Sequence, residues 1–153
     1  MRSPDLRIPP LALAAAFAVA IALASVHAPL AGLPFPGHRF AAAILAIAGL
    51  AIALAGVVQF RRARTTVNPA SPERTSAIVT SGLYRWSRNP MYLGMTLILL
   101  GIAVWAATLV GYLLVAVFCA YLTRFQIVPE ERALITSFGP EFERYMATVR
   151  RWI

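Results

Sequence analysis

Lysine is absent from the chain, cysteine occurs once, and six acidic residues face fourteen arginines in 153 positions. The lone Cys119 excludes an internal disulfide and a cysteine metal cluster. It sits inside an apolar run, where a free thiol behaves as a small packing residue. Charged residues make up only 13% of the chain and hydrophobic residues 59%, whereas an ordinary soluble domain has about a quarter of its residues charged. That shortage excludes the soluble globular class and leaves an integral membrane protein, read as a single domain over residues 1–153. The basic excess, a formal net charge of +8, has no interleaved stacking platform or basic helix with it. It therefore argues for membrane topology and anionic headgroups, and against nucleic acid. The two histidines, His27 and His38, lie in one Pro/Gly-rich connector with no acid or cysteine nearby, so no metal site is assigned.

The first apolar stretch, residues 8–26, follows Arg2 and Arg7. It is longer than the ~7–15 residues of a signal-peptide core, and Pro29 follows the faint cleavage-like sequence ending at Ala28. We read it as a retained transmembrane helix. A second span, residues 40–60, is close to the ~20 residues a bilayer core requires and stops at Arg61, Arg62 and Arg64. Gly49 and Gly56 within it point to close helix packing, and they permit a dimer without requiring one. Residues 61–88 read as a polar loop.

Residues 91–122 then run without a charge. As one helix this stretch would be ~48 Å long, against a hydrocarbon core of ~30 Å. The alternative is a tight hairpin over 90–123 that turns near residues 106–111. Arginine placement decides between them. Arg61, Arg62, Arg64, Arg74, Arg85 and Arg88 precede the run, and Arg124, Arg132, Arg144, Arg150 and Arg151 follow it. The positive-inside rule puts both groups in the cytoplasm, so the run must turn back. The expectation is an all-α integral membrane protein with four transmembrane helices, both ends cytoplasmic, and an amphipathic helical tail over residues 129–150. In that tail Phe142, Tyr145, Met146 and Val149 follow helical spacing, and the helix could lie on the membrane surface over the mouth of a site.

This topology returns Glu130 and Glu131 to the face that carries Tyr84, Arg85, Trp86, Arg88, Asn89 and Tyr92. Singly, the aromatics read as an interfacial belt, the arginines as snorkelling side chains and Asn89-Pro90 as a helix start. Jointly they read as a site. The pattern Gly82, Tyr84, Arg88, Asn89, Pro90, Tyr92, Gly94, then a hydrophobic hairpin, then Glu130, Glu131, Leu134, Phe138, Gly139, Phe142, Tyr145 and Val149 resembles the isoprenylcysteine carboxyl methyltransferase family and its phospholipid methyltransferase relatives. The resemblance runs from about residue 65 to residue 153. It implies a membrane-embedded enzyme that takes a methyl group from S-adenosylmethionine. It also implies a cofactor pocket built from Tyr84, Arg88, Asn89, Pro90, Tyr92, Gly94, Glu130 and Glu131 and capped by the tail. Isoprenylcysteine-specific members carry His where this chain has Asn89, a residue that hydrogen-bonds but does not titrate near neutrality.

The residue chemistry is compatible with that reading. Arg88 is suited to pair with the cofactor carboxylate, and Glu130 or Glu131 with its ammonium or ribose hydroxyls. The aromatics are suited to the adenine or the sulfonium, and Gly94 to close backbone approach. Arg88 and Glu131 are the candidate catalytic residues. Arg88 would orient a carboxylate acceptor, and Glu131 would be the base if the acceptor is an amine. The expected acceptor is a lipophilic, membrane-resident molecule at the cytoplasmic face, and the Arg- and Ala-rich composition fits a bacterial inner membrane. Two other classes stand beside this one. An NADPH-dependent sterol-reductase-like enzyme shares the carboxy-terminal pattern but usually has a longer chain. A non-enzymatic four-helix membrane protein is the other, although a proton-coupled exporter needs an acid within a span, and none of these spans holds one.

Overall fold

The structure, a computed structural model, describes residues 8–27, 34–62 and 78–153. Residues 28–33 of the first connector, residues 63–77 of the polar loop, and Arg2, Arg7, Arg64 and Arg74 lie outside the described residues. Among the described residues the fold is helical, without strands: α1 (Pro10–His27), α2 (His38–Arg62), a 3-10 turn (Gly82–Arg85), α3 (Pro90–Ala106), α4 (Leu109–Leu122), a π turn (Thr123–Ile127), α5 (Val128–Phe138) and α6 (Pro140–Thr148). Among the described residues three helical stretches are long and apolar enough to cross a membrane. They are α1, α2 and the 30-residue rod Leu109–Phe138 that α4, the π turn and α5 form together. With 17 residues, α3 is apolar but shorter.

The uncharged stretch at 91–122 is broken by backbone geometry rather than by polar residues. Ala107 adopts a left-handed conformation (φ 49°, ψ 38°) and Thr108 an extended one, which no continuous helix accommodates. The chain reverses there. Gly111 faces Ala103, and Thr96 Oγ1 lies 3.7 Å from Cys119 Sγ, so α3 and α4 run antiparallel. Against them α1 lays Phe17 on Phe118 with ring centroids 5.4 Å apart. Ile21, Leu99, Ala103, Phe118, Leu122 and Ile127 are fully buried at the centre of this three-helix core.

The other side of α3 is held differently. A Cβ on Gly94 would sit 2.5 Å from the Gly49 carbonyl oxygen, one on Gly49 2.6 Å from the Gly94 oxygen, and one on Gly101 2.8 Å from the Ala42 oxygen. The two backbones touch. In lipid no hydrophobic gain drives helices together, so packing of small residues must do it. Gly49 and Gly56 are thus occupied within the chain, by α3 and by Met91, and not at a surface open to a second copy. The opposite stripe of α2 (Phe40, Ile44, Ile47, Leu50, Leu54, Val58) is exposed and apolar, as a lipid-facing surface should be.

The rod carries its last three turns beyond the apolar zone without a loop. Proline inside a helix loses one backbone hydrogen bond and crowds the carbonyl four residues back. The wider π turn immediately before Pro129 absorbs that crowding. The rod ends at Gly139 (φ 52°), whose left-handed backbone reverses the chain into α6. The apolar face of α6 does not lie open on a membrane surface. Phe142, Tyr145 and Val149 are buried against Ile78, Leu134, Ile135 and Phe138 of the same chain.

If the α2–α3 seam holds the fold, Gly94→Val should lower the stability of the purified protein by about 1–3 kcal/mol through overpacking. Ile47→Val, on the exposed stripe, should leave it unchanged. Thermal melting in detergent measures both, and a wild-type melting temperature for Gly94→Val would refute the seam.

Candidate active site

The start of α3, the start of α5 and the end of α6 meet at one point, and Arg88 is at its centre. Its side chain is only 11% exposed. Nη1 donates to the carbonyls of Met146 (2.8 Å) and Val149 (3.0 Å), and Nη2 donates to Glu131 Oε1 (2.8 Å). The two carbonyls belong to the carboxy-terminal end of α6, where the helix dipole attracts a cation. Arg88 Nε is buried without a partner among the described residues. The donors of Arg88 that have partners are therefore turned toward acceptors of this chain.

Glu131 is held from two sides. Besides Arg88, it accepts from Arg151, whose Nε reaches Oε1 (3.1 Å) and whose Nη2 reaches Oε2 (2.7 Å). These bonds raise the Arg151 pKa above its ordinary value, against the opposing effect of burial. Both carboxylate oxygens thus accept guanidinium N–H groups, an arrangement that fixes arginines in place rather than one aimed at an acceptor proton.

The other sequence candidates divide into those near this cluster and those away from it. The Tyr92 hydroxyl donates to Glu130 Oε1 (2.7 Å), a second link between α3 and α5. Asn89 Nδ2 donates to the Arg151 carbonyl (3.0 Å). Pro90 is buried in the first turn of α3, where its missing N–H costs nothing. Tyr84 is buried with its ring edge-on to Phe60 (centroids 5.2 Å), and its hydroxyl has no partner among the described residues. Burial, then the neighbouring Tyr145 hydroxyl and the Glu130 carboxylate, push the Tyr84 pKa well above the ordinary tyrosine value, so this hydroxyl stays protonated. Gly94 stands apart. It lies one turn into α3 against Gly49 and Ala53 of α2, which makes it a packing residue of the seam.

Several contributors are not among the candidate site residues read from the sequence. The segment after α6 is stitched across the site: Arg88 N donates to the Arg150 carbonyl (3.0 Å), and Trp152 Nε1 donates to Thr123 Oγ1 in the π turn (3.3 Å). The Tyr145 hydroxyl donates to the Tyr84 carbonyl (2.7 Å), and Gln59 at the end of α2 accepts from Leu83 N (3.1 Å). Arg150 and Arg151 register in the sequence only as positive-inside charge. No sequence signal separates Arg151 from the other interfacial arginines, because its partner Glu131 lies twenty residues earlier.

A family model described as phospholipid methyltransferase matches residues 38–141 of the chain. The matched region contains all of the sequence-predicted site residues and stops short of Arg150–Trp152. An uncharacterized protein of Haemophilus influenzae is 41% identical over 63 residues, which is 41% of this chain and the full length of that relative. No solved structure matches.

Removing one partner of a buried ion pair strands the other. Glu131→Ala should therefore cost about 3–5 kcal/mol of stability and show as a large drop in melting temperature. Arg151→Ala, at a side chain 38% exposed, should cost no more than about 1 kcal/mol.

Burial also pushes the Tyr145 hydroxyl from 10.0 up to about 12, against the pull of Arg88. The folded protein then holds this proton more tightly than the unfolded chain. Its contribution is complete below pH 10 and should be lost progressively between about pH 10 and about pH 12. Melting temperature against pH in wild type and Tyr145→Phe measures this. The alkaline decline should be shallower in the variant.

Proposed function

The chain belongs to the phospholipid methyltransferase family, and on that footing we propose that it transfers a methyl group from S-adenosylmethionine to a lipophilic, membrane-resident acceptor at the cytoplasmic membrane face. The observation that carries this reading is the pair of links Arg88–Glu131 and Tyr92–Glu130. They join the two halves of the family pattern, some forty residues apart in sequence, at one end of the helical bundle.

In this reading α1, α2, α3 and α4 each cross the bilayer. At ~1.5 Å per residue α3 covers ~26 Å, so the bilayer thins slightly around it. Arg61 and Arg62 end α2 on the side where Arg85, Arg88, Arg124, Arg132, Arg150 and Arg151 lie. Arg39 begins α2 at the other side, 5.6 Å over the Trp105 ring. The positive-inside rule makes the arginine-rich side cytoplasmic, in keeping with a bacterial inner-membrane protein.

The residues present fit the cofactor. A buried Tyr84 hydroxyl with no partner among the described residues, the Glu130 carboxylate, and the half-exposed guanidinium of Arg151 supply a donor, an anionic partner for an ammonium, and a cation. When bound, S-adenosylmethionine would supply an electrophilic methyl group on its sulfonium. The protein's own work is orientation. Methyl transfer is an in-line displacement, so rigid positioning supplies most of the catalysis. Arg88 and Glu131 act by holding the α3, α5 and α6 ends together, Asn89 and Pro90 set the start of α3, and Tyr84, Tyr92 and Glu130 form the wall. A carboxylate acceptor needs no base. An amine acceptor must lose a proton, and Glu131, committed to two arginines, is then a holder of the site rather than the group that takes it.

The protein in nanodiscs should bind S-adenosylhomocysteine saturably by calorimetry and should not bind NADPH. Labelled S-adenosylmethionine with a host membrane extract should place the label in the lipid fraction. Saturable binding of NADPH alone would overturn the assignment.

A further inference from the structure

We infer that Arg151, a residue outside the region matched by the family model, is the cation that receives the carboxylate of the bound nucleoside's amino-acid portion. The inference rests on the cofactor reading above and assigns a recognition role within that site. Arg88 is already engaged. Its Nη1 serves two carbonyls at the end of α6, its Nη2 serves Glu131, and its Nε is enclosed; only 11% of the side chain is exposed. A ligand carboxylate could reach Arg88 only by displacing Glu131 or opening the end of α6.

Arg151 is placed differently. It shows Nε and Nη2 to Glu131, makes no hydrogen bond through Nη1 among the described residues, and keeps 38% of its side chain exposed. One edge of a planar, five-donor group is therefore used and another is open, the arrangement that lets a guanidinium bind a second oxyanion. The charges permit it. Arg88, Glu131 and Arg151 together carry one net positive charge, and the neighbouring Arg150 is exposed as well. The backbone holds Arg151 where it is, because its carbonyl accepts from Asn89 Nδ2 and the carbonyl before it accepts from Arg88 N. The open edge is thus fixed beside the start of α3 and within the same cluster as Glu131.

The same chemistry could serve a phosphate of an anionic lipid, so the test separates the two sources. Calorimetry on the full chain would compare S-adenosylhomocysteine with 5′-methylthioadenosine, which lacks the amino-acid portion. It would use nanodiscs of phosphatidylcholine alone and of phosphatidylcholine with phosphatidylglycerol. Arg151→Gln should weaken S-adenosylhomocysteine at least about tenfold, the cost of a lost charge-assisted contact. It should leave 5′-methylthioadenosine unchanged, in both lipids. Because the two ligands are compared in one variant, a partial loss of folded protein does not mimic this result. Arg151→Lys keeps the charge without the fork and should fall between.

An equal loss for both ligands, or no loss for either, overturns the inference while leaving the cofactor reading intact. So does a loss in Arg151→Gln that the two ligands share and that appears only with phosphatidylglycerol, which would make the headgroup the ligand. If the wild type binds neither nucleoside, the cofactor reading falls and this inference falls with it.

Discussion

A guanidinium cannot shed its charge, so a buried arginine must be surrounded by acceptors or the fold around it does not form. Arg88 imposes that requirement, and three helix ends answer it: the start of α5 through Glu131, the end of α6 through the carbonyls of Met146 and Val149, and the start of α3 through its own position two residues before Pro90. The rest of the arginine-rich side follows from this. Once α6 is drawn onto Arg88, its apolar face meets Ile78, Leu134 and Ile135, and the segment beyond it is laid across Asn89 and Glu131. A cluster that looks like a ligand site in sequence is in the first instance the fastening of the fold's last third.

A fastening of this kind needs a rigid base, and the α2–α3 seam provides one. Backbone-to-backbone contact at Gly49 and Gly94, and at Ala42 and Gly101, leaves no room for a larger side chain at those crossings of the two helices. The start of α3 is therefore referenced to α2, and through Gln59 to the turn that carries Tyr84. Glu130 and Glu131 are referenced to the same frame by the rod from α4, which reaches them through a π turn instead of a loop. Positions fixed by helices drift less than positions fixed by loops, which is what a displacement reaction requires of its surroundings.

The helical class and the membrane solvent were legible because they rest on composition and on long apolar runs, which local sequence reports directly. The proximity of Glu130 and Glu131 to Arg88 was legible for a different reason, since charge asymmetry constrains how often a chain crosses the membrane. The direction in which each side chain points was not legible. Gly94 looks like part of a polar motif, yet its packing partner, Gly49, is forty-five residues earlier in another helix. Arg151 looks like one more interfacial charge, because nothing near it in sequence reveals that its guanidinium faces Glu131. The apolar stripe of α6 was legible as a stripe, but periodicity does not say whether lipid or protein covers it.

Asn89 shows how much a change of residue type at a motif position can mean once its partner is known. The isoprenylcysteine-specific pattern has His there, and the obvious concern is the loss of a titrating group. In this chain the side chain donates one N–H to the Arg151 carbonyl, while the backbone carbonyl of Asn89 accepts from Leu93 to begin α3. Neither task uses a proton that comes and goes. An imidazole N–H would satisfy the same carbonyl, so the exchange of His for Asn conserves the stitch that holds the segment over the site. The position where the two patterns visibly differ is therefore, in this chain, a fastening between the start of α3 and the segment after α6.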